Sequence, residues 1–193
     1  MSYSLILANI QKHIDLNEEE IEYFISLLNQ KEIRKKEFVL QQGDTCRNIF
    51  FITKGGLRAF YINQNGKKST IMFAIKDWWI TDMNCFLNQI PAMSNIVALE
   101  NSSLLQLSFF QLQKLYQRVP KFERFFRILM EKAYVREQLR ALDNLTLTAV
   151  ERYDKFVEKY PKINEQITQK QLASYLGISP EFLSTIKKNK LDS

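Results

Sequence analysis

The chain has a single histidine, His13, and two cysteines, Cys46 and Cys85, in 193 residues. One imidazole leaves little for acid–base chemistry, and there is no nucleophile elbow, phosphate loop, HExxH or Gly-rich loop with paired carboxylates. The expectation is a protein that is not an enzyme. His13 reads as a surface histidine. The cysteines make neither a CxxC nor a metal-ligand spacing, so they read as buried free thiols and no metal is expected. No run approaches the ~20 apolar residues that cross a bilayer. The start, MSYSLILANIQKHIDL, has no basic leader region and no clear cleavage site. A cytoplasmic protein without membrane contact is therefore expected. Low-complexity segments and internal repeats are also lacking.

What is present is ample core and unevenly placed charge. Hydrophobic residues make up 46% of the chain, with 14 Phe, and the net charge is +6. Residues 1–112 carry 11 Lys/Arg against 11 Asp/Glu, whereas residues 113–140 carry 8 against 3 and residues 146–193 carry 8 against 6. The excess lies in the C-terminal half, as an electrostatic footprint on nucleic-acid phosphate requires. For residues 113–140 alone, a solvated basic helix accounts for the charge equally well.

The most informative stretch is ITQKQLASYLGISPEFLSTIKKN, residues 167–189. Thr168 is placed to cap a helix from Gln169 to Leu176, whose inward face is Leu172, Ala173 and Leu176. Gly177 stands where the helix must stop in a left-handed conformation. Ile178 fills the turn, Ser179 caps a second helix, and Pro180 fits its first turn, where a missing N–H leaves nothing unsatisfied. Leu183 and Ile186 face inward. A small Ala, a turn Gly and apolar residues at these offsets are what a helix-turn-helix needs. An ordinary amphipathic helix pair is the alternative.

Upstream, NEEEIEYFISLLNQ (17–30) reads as a helix capped by Asn17, with Ile21, Phe24, Ile25 and Leu28 buried. From Lys31 the period changes to that of short strands. They turn at Gly43-Asp44, at Gly55-Gly56 and at Asn65-Gly66, the last read as a two-residue hairpin turn. Asn95–Leu99 and Ser103–Ser108 continue the pattern, which suggests a compact β-roll or barrel. Trp78 and Trp79 read as core and rim packing. A helix follows from about Phe110. Pro120 interrupts it and opens a longer helix from Lys121 to about Leu145. The apolar surface of that helix includes Phe122, Phe125, Phe126, Leu129, Met130, Ala133, Val135, Leu139 and Leu142, too much for one face against a small roll. Part of it, with Phe122, Phe125, Phe126, Leu129, Ala133 and Leu139 as candidates, is assigned to a helix–helix dimer contact, and burial against the roll is the alternative. Thr148–Tyr160 forms a further helix stopped by Pro161, and Asn164 and Glu165 lead into the helix-turn-helix.

Helix, β-roll, long helix and helix-turn-helix, in this order, resemble the Crp/Fnr family of bacterial transcription regulators over nearly the whole chain. EFVLQQGDTCRNIFFITKGGLRAFY is similar to the family's opening strands, NIVALENSSLLQLS to the strand pair that closes the roll, and ITQKQLASYLGISPEFLSTIKK to its helix-turn-helix. The resemblance implies an α+β fold with an N-terminal cyclic-nucleotide-binding-type β-roll. The expected divisions are a roll with flanking helices at 1–118, a long dimerisation helix at 119–145 and a helix-turn-helix domain at 146–193. It also implies a homodimer, effector-controlled binding of double-stranded DNA at a palindromic operator, and RNA polymerase as a further partner. No cofactor is expected beyond a small-molecule effector of unknown identity. Because the sequence stops at Ser193, no β-wing is expected after the second helix.

Two places depart from the family pattern. Members that bind cyclic AMP hold its phosphate with a Gly-Glu-Leu segment and a later Arg in a Pro-Arg-type segment. Here Thr81, Asp82 and Met83 stand in the first place, and Pro91 is followed by Ala92, Met93 and Ser94. The candidate effector pocket is therefore Thr81, Asp82, Met83, Pro91, Ser94 and Asn95. It lacks a cation for phosphate and carries a carboxylate that repels one, so tight cyclic AMP binding is not expected. The second departure is Thr185, where many relatives place Arg. By analogy Glu181 would accept from a cytosine amine, while Ser184 and Thr185 contact bases or a thymine methyl, with Ser179 and Pro180 beside them. Lys187, Lys188 and Lys190, with Thr168, Gln169 and Lys170, would hold phosphates. Without an Arg for guanine, DNA shape would contribute more to recognition. A sensor or protein-interaction module with weak or lost DNA binding is the competing reading.

Overall fold

A computed structural model describes residues 3–191. Two short helices open the chain. The first, α1 (Ser4–Gln11), was not expected from the sequence; it buries Ile6 and Ile10, one turn apart. The second, α2 (Glu18–Ser26), has the expected Asn17 cap, with Asn17 Oδ1 accepting from Glu20 N and Glu20 Oε2 accepting from Asn17 N, each at 2.9 Å. It ends at Ser26 and not at Gln30, because Asn29 and Gln30 already pair in a strand.

Among the described residues, eight strands form a roll of two four-stranded antiparallel sheets: β1 (Asn29–Ile33), β2 (Phe38–Leu40), β3 (Asn48–Lys54), β4 (Gly56–Ile62), β5 (Lys68–Ile75), β6 (Trp79–Ile80), β7 (Asn95–Ala98) and β8 (Ser102–Ser108). The sheet orders are β1-β8-β3-β6 and β2-β7-β4-β5. Alternation puts Phe51, Leu57, Ile96 and Leu104 into the shared core. A short helix, α3 (Met83–Asn88), lies between β6 and β7. The β4–β5 hairpin departs from the expected two-residue turn. Asn63 N donates to Lys67 O and Gly66 N to Asn63 O, which leaves a three-residue loop with Gly66 at φ 74°. Asn63 Oδ1, accepting from the backbone N–H of Asn65 and Lys67, is what selects the longer loop.

Six helices follow or flank the roll's end: α4 (Phe109–Arg118), α5 (Lys121–Thr146), α6 (Ala149–Lys159), α7 (Pro161–Gln166), α8 (Gln169–Leu176) and α9 (Pro180–Leu191). Pro161 ends α6, as expected, but also opens α7, which the sequence reading took for a connection; a proline at the first helical position explains both. The N-terminal turns of α5 sit in the roll's own core. Phe122 stacks on Phe24 at 4.8 Å, and Phe125 and Phe126 lie 6.0 and 5.5 Å from the Trp79 ring. Phe122, Phe125 and Phe126 therefore do not face a partner helix, contrary to expectation. Each buried ring contributes roughly 2–3 kcal/mol to holding α5 on the roll. Leu129 also packs partly against this core. The exposed apolar positions come later on α5: Val135, Leu139, Leu142 and Leu145.

The C-terminal helices have a second core, into which the roll contributes Phe73 and Leu99. It is sealed along β5, an edge strand. Thr70 N donates to Ser174 Oγ at 2.9 Å, Ser174 Oγ donates to Lys68 O at 2.8 Å, and Arg140 of α5 donates to the carbonyls of Thr70 and Ile71. The expected end of the chain without a wing lies outside the described residues.

The glycines make a testable contrast. A Cβ at Gly55 (φ 85°) would lie 2.2 Å from Ser102 Oγ and 2.9 Å from Asn101 O, whereas one at Gly66 (φ 74°) would meet nothing within 4 Å. Gly66→Ala should therefore cost about 1 kcal/mol from backbone strain alone. Gly55→Ala should cost at least ~3 kcal/mol, because strain and overpacking add. Urea unfolding midpoints of the two variants test the difference.

Candidate functional site

The helix pair at the C-terminus is built by local signals. Thr168 Oγ1 accepts from Gln171 N at 3.2 Å while Gln171 Oε1 accepts from Thr168 N at 2.8 Å, which closes a capping box at the start of α8. Gly177 takes φ 71°, and Ile178 N reaches back to Ala173 O at 3.0 Å, ending the helix sharply. Ser179 Oγ then accepts from Phe182 N at 3.1 Å and starts α9. Leu172, Ala173, Leu176, Leu183 and Ile186 are all buried. The inner faces of both helices are thereby fixed, and so is what remains outside.

Glu181, Ser184, Thr185 and Lys188 stand exposed on the outer face of α9, with Thr168, Gln169 and Lys170 exposed at the start of α8. Gln169 Nε2 donates to Pro180 O at 2.8 Å, which clamps the two helix starts together. The structure does not bring every expected phosphate contact to this face. Lys187 is half-buried with its ammonium over the Tyr153 ring, 5.8 Å from the centroid, and Lys190 pairs with Asp154 at 2.7 Å. Both turn toward α6. The sequence alone could not show this, since their partners lie more than thirty residues away in the chain.

In the roll, the candidate effector residues form a different constellation from the one expected. Asp82 is 8% exposed and caps α3, its Oδ1 accepting from Cys85 N at 3.2 Å. Its Oδ2 accepts from Met93 N at 2.9 Å, Ser94 N at 2.9 Å and Ser94 Oγ at 2.8 Å. Four donors converge on one carboxylate. This is an anion cradle that the chain fills with its own anion. Thr81 and Asn95 are engaged elsewhere: Thr81 Oγ1 donates to Asn48 O at 2.9 Å, and Asn95 Oδ1 accepts from Gln42 N at 3.1 Å. Pro91 bridges to Thr45, and Met83 packs on the core. Cys46 and Cys85 are free and buried beside the cradle, and burial pushes the Cys85 thiol up to about 11. Partial burial and the Lys132 and Lys12 charges hold His13 below its ordinary value. Trp79 is buried, with Nε1 donating to Asn9 Oδ1 at 3.1 Å.

Sequence reasoning missed the groups that join the two halves. Arg58 on β4 is buried, its Nε donating to Thr70 Oγ1 at 2.9 Å and its guanidinium lying 4.6 Å from the Phe60 ring. Desolvation pushes it down to about 10. Thr70 in turn holds Ser174 of α8. An Arg in an otherwise apolar strand, LRAFYI, was the signal available.

The family model of the cyclic nucleotide-binding domain matches residues 30–119, from β1 through α4, and so contains the Asp82 cradle. Similarity to transcription regulators continues past it. The anaerobic regulatory protein of Haemophilus influenzae is 23% identical over 185 residues, covering 89% of this chain and 70% of that protein. The transcriptional activator protein anr of Pseudomonas aeruginosa is 22% identical over 167 residues, 81% of this chain and 68% of that one. The chain is thus similar to transcription regulators both within this domain and beyond it. The c-di-GMP-responsive global regulator CLP of Xanthomonas campestris has a similar fold, with a TM-score of 0.75 at 16% identity, covering 91% of this chain and 93% of that one. The fold of the roll and the helices after it is thus shared with that regulator, and the filled cradle is a property of this chain's own residues.

Replacing Asp82 by Ala strands the buried backbone donor of Ser94 and the partly buried one of Met93 and removes the α3 cap. Asp82→Ala should lower unfolding free energy by about 2–4 kcal/mol. Chemical denaturation measures this; a loss of under ~1 kcal/mol would mean that the cradle is not held by this carboxylate.

Proposed function

We propose that this protein is a dimeric DNA-binding transcription regulator that does not respond to cyclic AMP. The observation that carries the DNA reading is the outer face of α9. Glu181, Ser184, Thr185 and Lys188 are exposed there, while Leu183 and Ile186 are locked in the core behind them. A helix so held presents short polar side chains and a cation at a fixed angle, as a recognition helix in a major groove must. The similar proteins named as regulators and activators support the same reading.

The dimer contact is the C-terminal half of α5. Val135, Leu139, Leu142 and Leu145 are more than half exposed, and Ile128, Val135 and Leu142 recur at seven-residue spacing. A parallel partner helix would bury this strip in coiled-coil fashion. Two copies of α9 would then read half-sites about one DNA turn apart. Cyclic AMP is excluded on electrostatic grounds. Its phosphate would have to displace the Asp82 carboxylate from Met93 N, Ser94 N and Ser94 Oγ, with no arginine to compensate.

Fluorescence anisotropy with a duplex from the region upstream of the coding sequence, against a random duplex and across a salt series, tests the proposal. Tight binding to the upstream duplex alone, weakening steeply with salt and unchanged by added cyclic AMP, is expected. Lys188→Ala should reduce the salt slope by about one and weaken all sequences together, whereas Glu181→Ala should mainly shift sequence preference. Equal weak binding to both duplexes, insensitive to either variant, would favour a sensor that has lost its operator.

A further inference from the structure

A cleft of about 90 Å³, open to solvent on one side, lies where α5, α6 and α8 meet. Its walls carry Arg136, Arg140, Arg152, Lys155 and Lys159, against Asp143 as the acidic side chain of the lining. Asp143 is already paired with Lys155 at 2.6 Å. Arg140 is turned to the β5 carbonyls and lies 4.3 Å from the Tyr175 ring. Arg136 lies 5.5 Å from the centroid of the Trp78 ring and pairs with the exposed Glu137 at 3.3 Å, a pair of little strength in water. Arg152 spends its two Nη groups on Leu147 O and Leu176 O, and its buried Nε has no acceptor among the described residues. Like charges gathered in a partly enclosed space repel one another, and an anion seated among them would relieve that repulsion.

The floor of the cleft is aromatic. Phe156 lies 5.4 Å from Tyr160 and 5.2 Å from Tyr175, ring to ring. Burial raises both phenols above their ordinary value, so they remain neutral hydrogen-bond donors. Cations beside a wall of rings suit a ligand that is anionic at one end and flat at the other. We propose that this cleft is a binding site for a nucleotide-class ligand, its phosphates on Arg136, Arg152 and Lys159 and its base against Tyr160 and Tyr175. The site is separate from the Asp82 cradle, and it joins the long helix to the two helices that carry α9.

Isothermal titration of the intact chain with magnesium-free ATP, pyrophosphate and adenosine tests this without DNA, so its failure would leave the reading of α9 untouched. ATP should bind once per chain, about tenfold more tightly than pyrophosphate because the base stacks, and adenosine should give no saturable heat. Arg136→Ala and Lys159→Ala should each weaken ATP about tenfold by removing a charge-assisted bond. Arg136→Lys should recover part of the loss, and Lys114→Ala and Lys35→Ala, on α4 and before β2, should change nothing. Circular dichroism melts establish that each variant is folded. The proposal fails if ATP does not bind at millimolar concentration, if pyrophosphate binds as well as ATP, or if all lysine variants weaken binding alike. It also fails if duplex DNA displaces ATP while Arg136→Ala weakens every duplex equally, since the cleft would then serve the DNA backbone.

Discussion

An edge strand leaves a row of backbone donors and acceptors without partners, and β5 finds its partners in the C-terminal helices. Thr70 N and Lys68 O are satisfied by the one hydroxyl of Ser174, and the Thr70 and Ile71 carbonyls by the Arg140 guanidinium. Covering an edge in this way prevents pairing with another chain. It also fixes α8, and through Gly177 and the Gln169–Pro180 clamp it fixes α9. Phe73 completes the joint by passing from β5 into the core of the helix pair. The roll and the helices are thus packed on one another, with Ser174 and Phe73 at the contact between strand and helix pair.

The two anion-seeking features of the molecule differ in how they are satisfied. At α3 four donors converge on Asp82, so the charge they call for is supplied from within. At the junction of α5, α6 and α8, cations outnumber carboxylates and one buried N–H is left over. Buried polar groups that lack partners are uncommon, and those that persist call for an explanation. The ligand proposed for the junction would supply there the negative charge that Asp82 supplies at α3.

What the sequence made legible was local. The bounds of α8, its Thr168 cap, the Gly177 stop and the inward set of Leu172, Ala173, Leu176, Leu183 and Ile186 follow from side chains within a few residues of one another. The strands and the order of elements were legible for the same reason, and they carried the family resemblance. Contacts across the chain were not. Nothing local says that Phe122 stacks on Phe24, that Lys190 pairs with Asp154, or that Asp82 reaches residues 93 and 94. Asp82 was read as a charge that would repel a phosphate; its own donors, placed by the turn into β7, make it the occupant of the cradle. The helix α1 escaped notice because its buried face is only Ile6 and Ile10.

If β5 and α8 are joined in solution, the amide of Thr70 reports on it directly. Hydrogen exchange followed by NMR should show this N–H protected in the native protein. It should become fast in Ser174→Ala while the Leu57 and Ala59 amides of the interior strand β4 keep their protection. A Thr70 amide that exchanges at the rate of an open strand edge in the unaltered chain would contradict the account, since the helix pair would then move free of the roll.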